Sequence, residues 1–230
     1  MELTFLGIGS AFNPGMENTS AFFIFENELY LLDCGETVFA RLWNSRVLVD
    51  CSGVNVAISH LHCDHCGSLG SLISYCALVL KIPVRVIHPL ESVTQLLDLM
   101  GIERSFYTWL PTLDAEPGRA VSFQPQEVEH VNNMRCFGYI ISGPEKKIYY
   151  SGDARFIPAP VVDAFMKGDL DEIYQDTSFM TGLHAAHGSL EYLQQSFAPE
   201  FCSRIYCIHL DSDYRETIRA AGFRVPDYRS

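Results

Sequence analysis

The segment SHLHCDHCGS, residues 59–68, brings His60, His62, His65, Asp64, Cys63 and Cys66 together within one short stretch of chain. Two chemistries compete for that spacing. A thiolate zinc site would use the CxxC pair of Cys63 and Cys66, whereas an imidazole and carboxylate site would use His60, His62, Asp64 and His65 in HxHxDH order. A zinc knuckle needs a second thiol or histidine pair at short range, and the chain contains no second CxxC. Imidazole nitrogen and carboxylate oxygen suit a metal that must stay catalytic, because three protein ligands leave one coordination position for water. Donors of that kind stand at His60, His62, Asp64, His65, His130, Asp153 and His209. They suffice for two ions and are too many for one tetrahedral zinc. Cys63 and Cys66 are then loop and packing residues beside the site.

Donors so far apart in sequence meet only if regular elements carry them to one place. Each lies where a β-forming run ends: His60 after VAIS, His130 after QEVE, Asp153 after IYYSG and His209 after IYCI. β-branched and aromatic runs bounded by turn residues predict further strands at LTFLGIG, SAFFIF, LYLLDCG, PVRVIH, RCFGYIIS and DEIYQD, with a hairpin about ENE. Helical periodicity predicts helices at ETVFARLW, SLGSLISYCALVL, SVTQLLDLMG, APVVDAFMKG, SLEYLQQSFA and DYRETIRAAG. This order predicts an α/β protein with two sheets and outer helices, whose strand ends converge on one rim. No linker or repeat divides the 230 residues, so residues 1–230 read as a single domain. The segment from Pro89 to Gly118 offers Phe106, Tyr107 and Trp109 either to a substrate pocket or homodimer contact, or to plain packing.

A formal charge of −12 weighs against a long nucleic acid as general partner, since tracking phosphates needs clustered Lys and Arg. A small anionic substrate held by metal ions fits. Apolar stretches such as CALVLKIPVRVI are broken by charge or proline, and no membrane span is expected. The opening MELTFLGIGS lacks a basic, signal-like start, which points to the cytoplasm, where the eight cysteines would remain thiols.

The chain resembles the metallo-β-lactamase superfamily, and within it the RNase Z branch, through FLGIGSAF, ENTSAFFI, LLDCGE, HLHCDHCGSL, YYSGDA and HGS in the branch's order. The resemblance implies an αββα sandwich and a dinuclear centre, usually zinc, with manganese or iron as alternatives. One ion would be held by His60, His62 and His130, the other by Asp64, His65 and His209, with Asp153 bridging and a shared hydroxide as nucleophile. Asp64 thereby belongs to the catalytic set. His187 in AAHGS would give a proton to the leaving group, oriented by Asp176 in YQDTSF where the branch carries a glutamate; the alternative is a helix N-terminal histidine near Ser189. His88 and His184 match no motif and are read as structural.

The branch's tRNA-maturing enzymes usually carry a long arm between the third-motif histidine and the bridging aspartate. Here only 22 residues separate His130 from Asp153, room for two strands and a turn at GPEKK. Ala154 also stands where threonine is common. These departures favour a phosphodiesterase for a small or cyclic nucleotide or related diester. An RNase Z-like endonuclease, a lactone or thioester hydrolase and a non-enzymatic metal-binding regulator follow.

Overall fold

Three short apolar strands open the chain: β1 (Thr4–Gly7), β2 (Ser20–Phe25) and β3 (Glu28–Leu32). β2 and β3 close into a hairpin because Glu26 and Asn27 both adopt positive φ, 50° and 61°, as a type I′ turn requires. In the computed structural model, which describes residues 1–113, 120–179 and 186–228, there follow α1 (Val38–Ser45), β4 (Gly53–Ala57), α2 (Cys63–Cys66), α3 (Leu69–Tyr75), β5 (Val84–Ile87), α4 (Ser92–Leu99) and β6 (Thr108–Leu110). The second half contributes β7 (Ser122–Val128), β8 (Cys136–Ser142), β9 (Lys147–Tyr150), α5 (Ala159–Lys167), β10 (Glu172–Asp176), α6 (Leu190–Ser196), α7 (Pro199–Cys202), β11 (Ile205–Ile208) and α8 (Arg215–Ala220).

The strands form two mixed sheets, one in the order β1-β2-β3-β4-β5-β6 and the other β11-β10-β9-β8-β7. β3, β4, β5 and β6 run parallel, as do β9, β10 and β11, while the remaining neighbours are antiparallel. Alternation along each strand divides the core in two. Leu29, Leu31, Val54 and Val56 pack with Val38 and Leu42 of α1, Leu72 of α3 and Leu97 of α4. Tyr30, Leu32 and Ala57 share the other cluster with Phe123, Tyr139 and Ile148 of the second sheet and Phe165 of α5. Stacked rings bridge the sheets, with Phe23–Phe123 centroids at 6.4 Å and Tyr30–Phe123 at 6.1 Å. This is the expected αββα sandwich.

β6 is the strand that sequence periodicity missed, because it is only three residues long and sits in an aromatic stretch. It defines the role of its neighbourhood. Tyr107 is buried, Phe106 and Trp109 pack against the cluster behind the first sheet, and Trp109 Nε1 donates to the His88 carbonyl at 2.9 Å. These rings do not line the cavity described below, so the packing reading replaces the pocket reading; residues 114–119 of the same segment lie outside the described residues.

Cys63–Leu80 is long and apolar enough to cross a membrane by length and composition. Its environment explains the composition differently. The stretch comprises α2, α3 and a π-helical turn at Cys76–Leu80, begins with Asp64 and His65 in the metal-ligand cluster, and buries Leu69, Leu72, Ile73 and Cys76 beneath the first sheet.

Candidate metal centre

The site is founded on Asp33, just beyond β3. With φ of 59°, it turns its buried carboxylate under the end of β4. Oδ1 accepts from the Ser59 amide at 2.7 Å, while Oδ2 accepts from Ser59 Oγ at 2.9 Å, Tyr150 OH at 3.1 Å and His65 Nδ1 at 2.8 Å. That last bond places the His65 proton on Nδ1 and leaves Nε2 directed at the cluster. Two glycines let the backbones meet. A Cβ on Gly35 would overlap the Asp64 carbonyl, and Gly152, at φ +57°, makes the turn after β9 with Ser59 where its own Cβ would lie.

The structure brings all seven expected donors together in two sets that share Asp153: His60, His62, His130 and Asp153, and Asp64, His65, Asp153 and His209, with the donor atoms of each set within 4.8 Å of one another. Asp153 divides its oxygens between them. Oδ1 stands 3.0 Å from His65 Nε2 and 3.2 Å from His209 Nε2, while Oδ2 stands 3.5 Å from His130 Nε2 and 3.8 Å from His60 Nε2. His60 Nε2 and His62 Nδ1 are 2.9 Å apart, and His209 Nε2 lies 3.2 Å from Asp64 Oδ2. His130 donates from Nδ1 to the Ala186 carbonyl at 2.9 Å, which leaves its Nε2 for the cluster.

These donors suit cations. His65 Nε2 and Asp153 Oδ1 are buried without a hydrogen-bond partner, although only 3.0 Å apart. Each unsatisfied buried group costs about 1–3 kcal/mol, and a cation among them would remove that penalty.

Without ions the two sets differ in protonation. Burial, reinforced by the neighbouring imidazoles His65 and His130 respectively, holds His60 well below the ordinary histidine range and lowers His62. In the other set burial also disfavours the imidazolium, but carboxylates outweigh it: Asp153, Asp64 and Asp33 raise His65 well above its ordinary value, and Asp153 leads Asp176 and Asp64 in lifting His209 to about 10. Asp64 is held low by His65 and His209 against its own burial.

His187 and Asp176 lie beside the second set. His187 Nδ1 is 2.7 Å from Asp176 Oδ2, which also accepts from the Ala154 amide at 3.0 Å, while Asp176 Oδ1 lies 3.5 Å from His209 Nδ1. Asp153, Asp176, His187 and His209 also form a group compact enough for a cation. Because Asp176 Oδ2 is already committed to two donors, this group reads as a hydrogen-bonded pair against the centre. Burial favours neutral His187, yet Asp176 and Asp153 outweigh it and the net direction is upward. His187 borders a cavity of about 630 Å³ that is lined also by His62, Asp64, His130, Asp153 and His209, with Phe12 at its rim, while Asp176 lies buried behind it.

No metal-ligand group among the described residues includes a cysteine. All eight thiols are free, and burial pushes those of Cys34, Cys66, Cys76 and Cys207 up to about 12. His88 is buried outside the cluster with Nδ1 2.8 Å from the Ile58 carbonyl, and His184 lies outside the described residues. Asp33 matches no ligand spacing, and its one local signal is an acid closing the apolar run LYLLDCG.

A two-sheet sandwich with HxHxDH at one strand end defines a protein of metallo-β-lactamase fold. The chain belongs to the family described as anti-Pycsar protein Apyc1, which it matches over residues 1–225. It is 27% identical over 249 residues to the anti-Pycsar protein Apyc1 of Bacillus phage 010DV004, covering 96% of this chain and 93% of that relative. Among solved structures, a diphosphatase from the PhnP family superposes with a TM-score of 0.74 at 18% identity, covering 98% of this chain and 94% of the other. Human tRNase Z, short form, gives 0.69 at 19% identity, with 91% and 93% covered. Family and site together make the chain a metal-dependent hydrolase.

Proposed function

We propose that this chain is a dinuclear phosphodiesterase that opens a small cyclic nucleotide or a related diester, with zinc as its ion and manganese or iron as alternatives. One observation carries the reading: Asp153 offers one oxygen to each histidine set and lines a cavity shared with His187, which buried Asp176 holds through Nδ1. His60, His62 and His130 would hold one ion and Asp64, His65 and His209 the other, with Asp153 common to both. Two divalent cations, when bound, supply Lewis acidity at the phosphoryl oxygens and make a nucleophile of water at neutral pH.

The chain's own residues do the remaining work. Asp33 and the Ala186 carbonyl hold His65 and His130 in the tautomers that present Nε2. Asp176 anchors His187 through Nδ1, so the Nε2 proton is available to the cavity. That proton passes to the ester oxygen as its bond to phosphorus breaks, and the attacking water's proton restores the imidazolium. A family described as anti-Pycsar fits an enzyme that degrades a cyclic nucleotide. The proposal includes a small anionic partner, no membrane, no long nucleic acid, and a cytoplasmic setting that keeps the thiols reduced.

Elemental analysis of reconstituted protein should return two ions per chain. A reproducible stoichiometry of one, unchanged in His209→Ala, would remove the dinuclear assignment.

The endonuclease reading has less support. The hairpin of β8 and β9 occupies the span between His130 and Asp153, and no Lys or Arg is among the described residues lining the cavity. Weak, salt-sensitive tRNA binding and no specific 3′ cleavage are expected. Accurate trimming of a tRNA precursor at physiological salt would restore the endonuclease to first place.

A further inference from the structure

Outside the metal ligands the cavity is chemically one-sided. Glu36 and Asp211 line it, and apart from the His187 acid no cationic side chain does so among the described residues. Ion pairing with the described lining therefore offers little to the rest of a bound anion. The rim offers Phe12 instead. Its side chain is 94% exposed, more than any other large apolar residue described, yet the turn beneath it is firmly tied. The Ser10 amide donates to the Leu210 carbonyl at 3.0 Å, Asn13 Nδ2 donates to the same carbonyl at 3.0 Å, and the Asn13 amide donates to the Ser10 carbonyl at 3.1 Å. Leu210 directly follows His209. A metal ligand and the rim aromatic thus ride on one hydrogen-bonded unit.

The cavity's volume, about 630 Å³, lies within the range of about 300–1,000 Å³ usual for small-molecule sites. It leaves room beside the metal centre for more than a phosphate group. A phenylalanine ring on a tied backbone has only two side-chain torsions to fix, so it pays little entropy on being covered, and every nucleobase presents a π-face to such a ring. We propose that Phe12 is the nucleobase platform of this site, stacking on the base of a cyclic nucleotide whose phosphate lies at the metal centre. The inference rests on the phosphodiesterase reading. Stacking reads no base edge, so the platform confers affinity for nucleotides without strong selection between purine and pyrimidine.

The test compares wild type, Phe12→Ala and Phe12→Trp, all metal-loaded, on a cyclic purine nucleotide, a cyclic pyrimidine nucleotide and the cyclic phosphate of ribose without a base. Wild type should favour both nucleotides over the base-less ester by about 10- to 100-fold in kcat/KM. Phe12→Ala should collapse that preference through KM for both bases, with kcat on the nucleotides retained. Phe12→Trp should keep the preference, and its introduced indole fluorescence should be quenched by nucleotide but not by the base-less ester. An undiminished preference in Phe12→Ala overturns the platform and leaves the phosphodiesterase reading standing. Equal wild-type efficiency on all three esters has the same meaning. Failure of wild type to hydrolyse any of them overturns the reading and the platform together.

Discussion

Asp153→Ala should lower turnover by about three orders of magnitude or more and release at least one ion. The expectation follows from where its two oxygens stand. Oδ1 is within 3.2 Å of both His65 Nε2 and His209 Nε2, while Oδ2 faces His130 and His60, so a single truncation removes a ligand from both halves. Two-metal sites place their ions about 3.5–4 Å apart. At that spacing two cations would repel strongly, and the carboxylate common to both donor sets would be the charge between them. Losing several kcal/mol of transition-state stabilisation is enough for such an effect, since each 1.36 kcal/mol is tenfold in rate. Asp153→Asn separates charge from shape: it should retain much of the fold but not the metal content. Thermal melts and elemental analysis on both variants provide the check. Two tightly bound ions with turnover near wild type in Asp153→Ala would mean that the bridge lies elsewhere.

His187→Ala should lower turnover on a diester with a poor leaving group by about 10² to 10⁴, the scale of general acid catalysis. Metal content should hardly change. A ribose oxygen needs a proton as it departs, whereas nitrophenolate leaves well without one, so the loss should be much smaller on a nitrophenyl ester. Asp176→Asn should reproduce part of the effect because it weakens the 2.7 Å contact that orients Nδ1. The pH profile carries a sign as well. Asp176 and Asp153 raise the His187 pKa against the effect of burial, so the protonated acid persists to higher pH than it would on a solvent-exposed histidine, and activity that depends on it is lost as pH rises through that value. Losing Asp176 should move the alkaline limb to lower pH. An equal loss on both esters in His187→Ala would assign that residue to positioning or folding.

Much of this site was legible in the sequence because metal ligands obey spacing rules. HxHxDH can be read without coordinates, and His130, Asp153 and His209 each end a β-forming run that the structure shows as β7, β9 and β11. The division of Asp153 between two sets is a three-dimensional relation, which resemblance could suggest but periodicity could not. Asp33 escaped for a different reason. It is not among the described residues that line the metal-centre cavity; it acts through His65, Ser59 and Tyr150, and nothing in local sequence distinguishes a positioning carboxylate from a turn residue. β6 escaped because its parallel partner β5 and the packing of Trp109 define it more than its three residues do. Phe12 reads as an ordinary turn residue until its exposure at the cavity rim is known.

Phosphorus NMR of metal-loaded protein incubated with cyclic nucleotides tests the dinuclear phosphodiesterase most directly. The cyclic diester resonance should be replaced by that of a phosphomonoester, with conversion absent on chelation and in Asp153→Ala. Fully metal-loaded wild type that leaves every cyclic nucleotide intact would contradict it.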